Sequence, residues 1–244
     1  MAPLEPPDPP GPVTTTLEWR GRTGPFALAV PEGVFVPTHT SLAMAGALAV
    51  EPGETVADIG CGCGVLGIVA ARLGAAGVVG IDISTEAVET ASVNAKSLGL
   101  EGTCQFRTGD LCEPLGGERF DVVIGDVSGV PDTLAEATGW LPGGGPTGAE
   151  TPVKLLEVVR SALRPGGRLY LPTGWLQDDR RVLAAARSVF GADRLELLET
   201  RRFPLPGPLA SSPAVSELTA AGVMRLEARG TRWFWELNLW CCRG

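Results

Sequence analysis

One stretch limits the fold more than any other: Val56-Ala57-Asp58-Ile59-Gly60-Cys61-Gly62-Cys63-Gly64. A short apolar run ends on an acid and glycines follow at alternate positions. A proline-free apolar segment, Val65-Leu66-Gly67-Ile68, begins directly behind them. The pattern reads as strand, tight turn and helix. Glycine turns the backbone sharply and lets a ligand approach with no Cβ in the way. The helix start behind it offers N–H groups with no intrahelical partner. Asp58 narrows the ligand: an anionic pyrophosphate is repelled by a carboxylate at the strand tip, whereas a cationic amino group is attracted.

A second apolar strand, Gly77-Val78-Val79-Gly80-Ile81-Asp82, ends on another acid about twenty residues beyond the glycines. A ribose-binding acid sits there in a doubly wound sheet. Gly62, Gly64 and Gly67 also form a formal G-x-G-x-x-G, so an NAD-dependent oxidoreductase is a competing reading. Asp58 opposes it, as does the absence of a clear Tyr/Lys or His/Asp catalytic pair.

Alternation of strand and helix continues along the chain. The proline-rich residues 1–12 read as a disordered tail, because proline lacks an N–H and fixes φ. Thr14–Trp19 and Pro25–Val30 read as a hairpin within residues 13–36, either a lid on the substrate side or a cap on the core. Residues 37–244 form the main domain. In it a helix is expected over Leu42–Val50, one over Thr85–Leu98 capped by Ser84, and strands over Thr103–Arg107 and Phe120–Ile124. Gly139–Thr151 reads as a loop. Pro152–Leu163 reads as a helix capped by Thr151, and Arg164-Pro165-Gly166-Gly167 as a turn before a strand over Arg168–Pro172. A helix over Asp178–Phe190 and a strand over Leu195–Phe203 follow. Beyond a proline-rich loop come a short helix over Val215–Ala221 and a run over Val223–Ala228. The last run is Arg232–Trp240, with Trp233, Trp235, Leu237 and Leu239 on one core-facing side. Alternating β and α implies a parallel sheet covered on both faces. Ligands bind beyond the carboxyl ends of such strands, and Asp58, Asp82, Asp110 and Asp126 all stand at such ends.

Composition restricts partners and location. The net charge of −8 disfavours a nucleic-acid acceptor, since that binding rests on Lys and Arg contacts to phosphate; a local basic patch stays open, for example near Arg201, Arg202, Arg225, Arg229 and Arg232. The six cysteines show no metal-ligand spacing and read as free thiols in a reducing cytoplasm. There is no signal-peptide pattern and no run long enough to span a membrane. No metal is expected, and the chain is read as a monomer or homodimer.

With these residues in place, the chain resembles the class I S-adenosylmethionine-dependent methyltransferases. Residues 33–175 carry the likeness. Asp58-x-Gly60-x-Gly62-x-Gly64 is similar to the loop that runs beside the amino-acid part of the cofactor. Asp82 is similar to the acid that holds the ribose, Gly109-Asp110-Leu111 to the turn that reads the adenine edge, and Arg164-Pro165-Gly166-Gly167 to the turn before strand five. The stretch from Val56 to Ser84 is similar to the ribosomal protein L11 methyltransferases. Gly33-Val34-Phe35-x-Pro37 and Phe120–Asp126 are similar to the release-factor glutamine methyltransferases. That second group carries Asn/Asp-Pro-Pro-Tyr after its fourth strand, where this chain reads Asp126-Val127-Ser128-Gly129. The Pro-Pro bend and the stacking Tyr are absent.

The resemblance implies a Rossmann-like, mostly parallel seven-stranded sheet with an antiparallel C-terminal strand, and S-adenosylmethionine as cofactor. The implied cofactor contacts are Thr38, Thr40, Asp58, Gly60, Cys61, Gly62, Gly64, Asp82, Ile83, Asp110, Leu111 and Asp126. For the transfer itself the expected residues are Asp126, which orients or deprotonates an N–H or O–H nucleophile, Ser128, and His39, the chain's sole histidine. A nitrogen acceptor on a small molecule or on a peptide or protein side chain is expected, ahead of oxygen, of RNA, or of a silent cofactor-binding module.

Overall fold

A computed structural model of the protein describes residues 14–139 and 143–244. The proline-rich tail expected at residues 1–12 lies outside the described residues, as do residues 140–142 of the expected glycine-rich loop.

The main sheet begins with β3 (Thr55–Ile59), after a hairpin of β1 (Thr14–Trp19) and β2 (Phe26–Pro31) and a helix α1 (His39–Ala47). Then follow α2 (Val65–Leu73), β4 (Gly77–Asp82), α3 (Thr85–Ser97), β5 (Cys104–Thr108), β6 (Phe120–Gly125), α4 (Asp132–Thr138), α5 (Glu150–Ala162) and β7 (Leu163–Gly174). The chain ends with α6 (Asp179–Phe190), β8 (Leu195–Pro204), α7 (Gly207–Ala210), α8 (Pro213–Ala220), β9 (Glu227–Arg229) and β10 (Arg232–Arg243). The strand order is β5-β4-β3-β6-β7-β10-β8. The strands from β5 to β7 are parallel, and β10 runs antiparallel to both β7 and β8. This is the expected path of seven strands, with β9 added as a short flap on β10.

The central strands are buried on both faces, as their continuous apolar sequences require. Val56, Ala57, Val122, Val123 and Ile124 are fully buried. The order reverses between β3 and β6, because β3 pairs with β4 on one side and β6 on the other. A crevice therefore opens above the carboxyl ends of these two strands.

Several boundaries differ from the sequence expectation, each for a local reason. α1 starts at His39 rather than Leu42, because Thr38 and Ser41 close a reciprocal capping box around its first turn. α5 starts at Glu150, with Pro152 inside its first turn and no side-chain cap from Thr151. The Glu150 carboxylate instead takes the Thr147 N–H at 3.0 Å and its hydroxyl at 2.9 Å. The Arg164–Gly167 turn is absorbed as the irregular start of β7, where the β6–β7 register shifts. The run expected over Val223–Ala228 shrinks to β9, and α4 was not expected at all. Trp233 is 44% exposed, so on the expected core-facing side of β10 Leu237 and Leu239 are buried, Trp235 packs partly buried against the core and Trp233 stays outside it.

The hairpin caps the core. Phe26, Leu28 and Val30 alternate inward along β2 and join Trp19 in one cluster with α1 and α2. Over the other end of the crevice, α4, α8 and the turn after β7 build a small separate core from Leu134, Leu176, Val215, Leu218 and Met224.

Candidate functional site

The glycine turn follows β3 directly. Gly60, Gly62 and Gly64 all have positive φ, at 79°, 52° and 84°. Their surroundings differ. A Cβ on Gly64 would lie 2.9 Å from Cβ of Ala91 on α3, so that glycine is demanded by packing. A Cβ on Gly60 would lie 2.9 Å from the Asp126 carbonyl, so the turn sits directly on the chain leaving β6. A Cβ on Gly62 would meet nothing within 4 Å among the described residues. Gly62 is therefore the point at which the turn faces outward.

Two acids hold this turn from opposite sides. Asp82, at the end of β4, accepts the Gly62 N–H at 2.9 Å through Oδ2 and the Ser84 N–H at 3.0 Å through Oδ1. Asp58 is completely buried, and its Oδ2 accepts the Gly67 N–H at 2.8 Å. The position expected to meet a cationic ligand is thus a brace beneath the first turn of α2. Its Oδ1 has no hydrogen-bond partner among the described residues. Burial, then the nearby Asp126 charge, pushes the Asp58 carboxyl up to about 7, against the pull of the Gly67 N–H.

The third and fourth acids complete the rim. Asp110 is exposed in the turn after β5, between Gly109 and Leu111. Leu111 itself has φ 46°, a left-handed conformation that a branched side chain rarely adopts. Ile83, beside Asp82, is 66% exposed, a large apolar side chain on the open edge of the crevice. Asp126 ends β6, half-buried, and burial pushes its carboxyl up to about 6. The hydroxyl of Ser41 donates to Asp126 Oδ2 at 3.5 Å and opposes that rise.

Ser41 was not foreseen. Its Oγ accepts the Thr38 N–H at 3.4 Å while donating to Asp126, so one hydroxyl both caps α1 and touches the rim acid. The capping box was the available signal; the contact across the crevice needed the fold.

The remaining expected residues divide. Thr38 spends its hydroxyl on the Thr40 N–H at 3.3 Å, which makes both part of the α1 cap. His39 is exposed and lies against Phe203, ring centres 4.8 Å apart, with Trp235 another 5.3 Å beyond. Cys61 is buried and its N–H donates to the Ile81 carbonyl. Burial and the neighbouring Asp58 and Asp82 hold its thiol well above the ordinary range, so it is inert packing. The carbonyl of Ser128 is pressed by the glycine-rich segment behind it, where a Cβ on Gly144 would fall 2.4 Å away.

Four of the five arginines in that region are ion-paired, and Arg232 is exposed. Arg201 pairs with Glu199 at 2.6 Å, Arg202 with Glu227 at 2.7 Å, Arg225 with Asp179 at 2.7 Å and Arg229 with Glu227 at 2.9 Å. Among the described residues no helix is long and apolar enough to cross a membrane, and no His, Cys, Asp or Glu group could hold a metal.

Residues 50–194 match the family described as a methyltransferase domain. Among curated proteins, the chain is 35% identical over 136 residues to a ribosomal protein L11 methyltransferase of Cupriavidus taiwanensis, covering 55% of this chain and 37% of that protein. It is 43% identical over 100 residues to the protein of the same name from Pelotomaculum thermopropionicum, covering 39% and 32%. The chain thus spans about a third of the length of the curated relatives it matches. Among solved structures, the ribosomal protein L11 methylase of Lactobacillus delbrueckii subsp. bulgaricus superposes with a TM-score of 0.54 at 20% identity, over 88% of this chain and 83% of that one. The 16S rRNA N2 G1207 methyltransferase of T. thermophilus, solved with AdoMet and guanosine, gives a TM-score of 0.63 at 19% identity, over 96% and 52%. At those identities the likeness is one of fold.

Proposed function

We propose that this chain, which belongs to the methyltransferase domain family, moves a methyl group from S-adenosylmethionine onto a nitrogen of a protein or peptide side chain. The residues present fit that cofactor. Gly62 faces outward with room for a ligand, and Asp82 stands beside it with both oxygens already aligned by backbone N–H groups. Ile83 and Leu111 offer apolar surface on either side of the exposed Asp110. In this reading Gly60, Gly62 and Gly64 run beside the amino-acid end, Asp82 takes the ribose hydroxyls, and Ile83, Asp110 and Leu111 take the adenine.

The chemistry supplied by bound S-adenosylmethionine is a methyl group already activated on a sulfonium. The protein's task is to place the acceptor, exclude water and receive one proton. Asp126 is the residue for that proton. It stands at the end of β6, and its backbone packs against Gly60 of the cofactor turn. Ionised, it would accept an N–H hydrogen bond from the acceptor and take the proton that nitrogen gives up when the methyl's bond to sulfur is exchanged for one to nitrogen, S-adenosylhomocysteine being the leaving group. Ser41 is a positioning residue that fixes the Asp126 oxygen from the α1 side. A well-placed base of this kind contributes about 10²–10⁴-fold.

The observation that carries the proposal is Asp126 at the end of β6, its backbone against Gly60 of the glycine turn and its carboxylate held by Ser41. A protein acceptor is supported by the names of the 35–43% identical relatives and by the ion-paired arginines, which leave little free positive charge for phosphates. The test is transfer of radiolabelled methyl from S-adenosylmethionine to purified ribosomal protein L11 and, separately, to ribosomal RNA, with Asp126→Asn as control. Label in protein, lost in the variant while cofactor binding persists, is the expected result. Label in RNA alone overturns the acceptor class. Label in neither, with cofactor bound normally, overturns the assignment to these macromolecules.

A further inference from the structure

The hairpin ahead of the main sheet has no part in the transfer described above, yet it is tied to the cofactor turn by one side chain. Asn94 stands on α3 and is 2% exposed. Its Oδ1 accepts the Ala29 N–H at 2.7 Å and its Nδ2 donates to the Ala29 carbonyl at 2.9 Å. The carboxamide thus caps the open edge of β2 as a neighbouring strand would. The same Nδ2 donates to the Cys63 carbonyl at 3.0 Å. Cys63 lies between Gly62, which faces the ligand, and Gly64, which packs on Ala91 three residues before Asn94 on the same helix. One face of α3 therefore supports the back of the turn and, through one amide, the hairpin.

We infer that Asn94 is a positioning residue for the cofactor turn, and that the hairpin is thermodynamically coupled to cofactor binding through it. This rests on the reading that the turn binds S-adenosylmethionine. Cys63 has neighbours of positive φ on both sides, so little in the local sequence holds its peptide in place. Fixing its carbonyl from behind orders the loop before the ligand arrives, which lowers the ordering cost of binding. The relation is reciprocal: a bound ligand that holds the turn also holds the Asn94 amide against β2. The hairpin has separate anchors. The Arg72 guanidinium donates to the Thr23 carbonyl at 3.1 Å and covers the Phe26 ring at 4.6 Å, and Leu28 is fully buried. Losing Asn94 therefore uncouples the hairpin without releasing it.

The experiment pairs calorimetry with S-adenosylhomocysteine and amide hydrogen exchange, on wild type, Asn94→Leu and Asn94→Asp. Leu keeps the volume and removes every hydrogen bond. Asp keeps the acceptor for Ala29 N–H and removes both donors. In the wild type, S-adenosylhomocysteine slows exchange in residues 60–64 and also at Ala29 and its β2 neighbours. In both variants affinity falls at least tenfold, about 1.4 kcal/mol, and ligand still protects the turn but no longer β2. A β2 that does not respond in the wild type overturns the coupling, and so does wild-type affinity in a folded Asn94→Leu. If Leu fails to fold, Asp and the wild-type exchange data decide. If the wild type binds no S-adenosylhomocysteine, the cofactor reading itself falls.

Discussion

Gly62 and Gly64 stand two residues apart in one turn, and alanine at each has a different consequence. Both have positive φ, 52° and 84°, so either alanine carries the left-handed penalty of about 1–2 kcal/mol. For a chain of this size that lowers Tm by roughly 2–8 °C. At Gly64 the new methyl also falls 2.9 Å from Ala91 Cβ and 3.2 Å from the Phe106 ring. Overpacking of that kind adds about 1–3 kcal/mol. At Gly62 the methyl meets no described atom within 4 Å, so no packing cost is added. It projects instead into the open space where the proposed cofactor would lie. Gly62→Ala should be the more stable variant and the worse binder, with S-adenosylhomocysteine affinity down at least about 100-fold, roughly 2.7 kcal/mol. Thermal melts with and without ligand measure both effects at once. Ligand at about a hundred times Kd stabilises by about 2.7 kcal/mol, so wild type and Gly64→Ala shift upward while Gly62→Ala does not. A Gly62→Ala protein that binds normally, or a Gly64→Ala protein as stable as Gly62→Ala, refutes the assignment of one glycine to ligand and the other to packing.

Asp126 and Asp58 set the pH behaviour. Asp126, raised to about 6 from 3.8, must be ionised to take a proton, so kcat/KM should fall as pH drops below about 6; a profile flat down to pH 4 speaks against its role. Ser41→Ala removes a hydrogen bond to the charged form, so that limb should move to higher pH, with activity reduced at pH 6 and near normal at pH 9. The lost cap lowers stability by about 1 kcal/mol at every pH. Asp58 is raised to about 7, so the folded state holds its proton more tightly than the unfolded chain between about pH 4 and 7, and stability from this group declines as pH rises through that window. Asp58→Asn should raise Tm at pH 8 and leave it unchanged near pH 4, while weakening S-adenosylmethionine binding; equal Tm changes at both pH values count against a buried charge as the cause.

Wherever a local rule had no competitor, the sequence was sufficient. β3, β4 and β6 are continuous apolar runs between glycine or acid, and their positions hold to within a residue. Alternation with helices gives their parallel direction, while their order in the sheet comes from the structure. The misses come where two local signals compete. Thr151-Pro152 is a good helix start, but the Glu150 carboxylate satisfies Thr147 and moves the start back. Arg164-Pro165-Gly166-Gly167 has turn composition, yet Gly166 at φ 77° bends a strand that continues through it. Trp233 alternates correctly with Leu237, but the end of β10 near it pairs only with the tip of β8 and the short β9, beyond the reach of β7. Period two assigns a face; it does not say how far the covering layer extends.

The site shows the same division. Asp82 and the glycines were legible because their chemistry is contiguous in sequence. Ser41 and Asn94 were not, since each acts across more than thirty residues, Ser41 on Asp126 and Asn94 on Cys63 and Ala29. The most consequential case is Asp126-Val127-Ser128-Gly129, which lacks the Pro-Pro bend that the resemblance to release-factor glutamine methyltransferases implies here. Here the stiffening comes from outside the corner. A Cβ on Gly144 would fall 2.4 Å from the Ser128 carbonyl, one on Gly148 2.5 Å from the Gly129 carbonyl, and one on Gly129 1.9 Å from Gln177 Oε1. The Gly144 N–H also donates to the Val130 carbonyl at 2.7 Å. Backbone therefore lies on backbone at this corner, with the Gln177 side chain packed against Gly129. A corner held that way keeps Asp126 in place without proline and without an aromatic lid. In the proposed reaction the acceptor would then meet the turn after β7 and the small α4–α8 core rather than a stacking tyrosine.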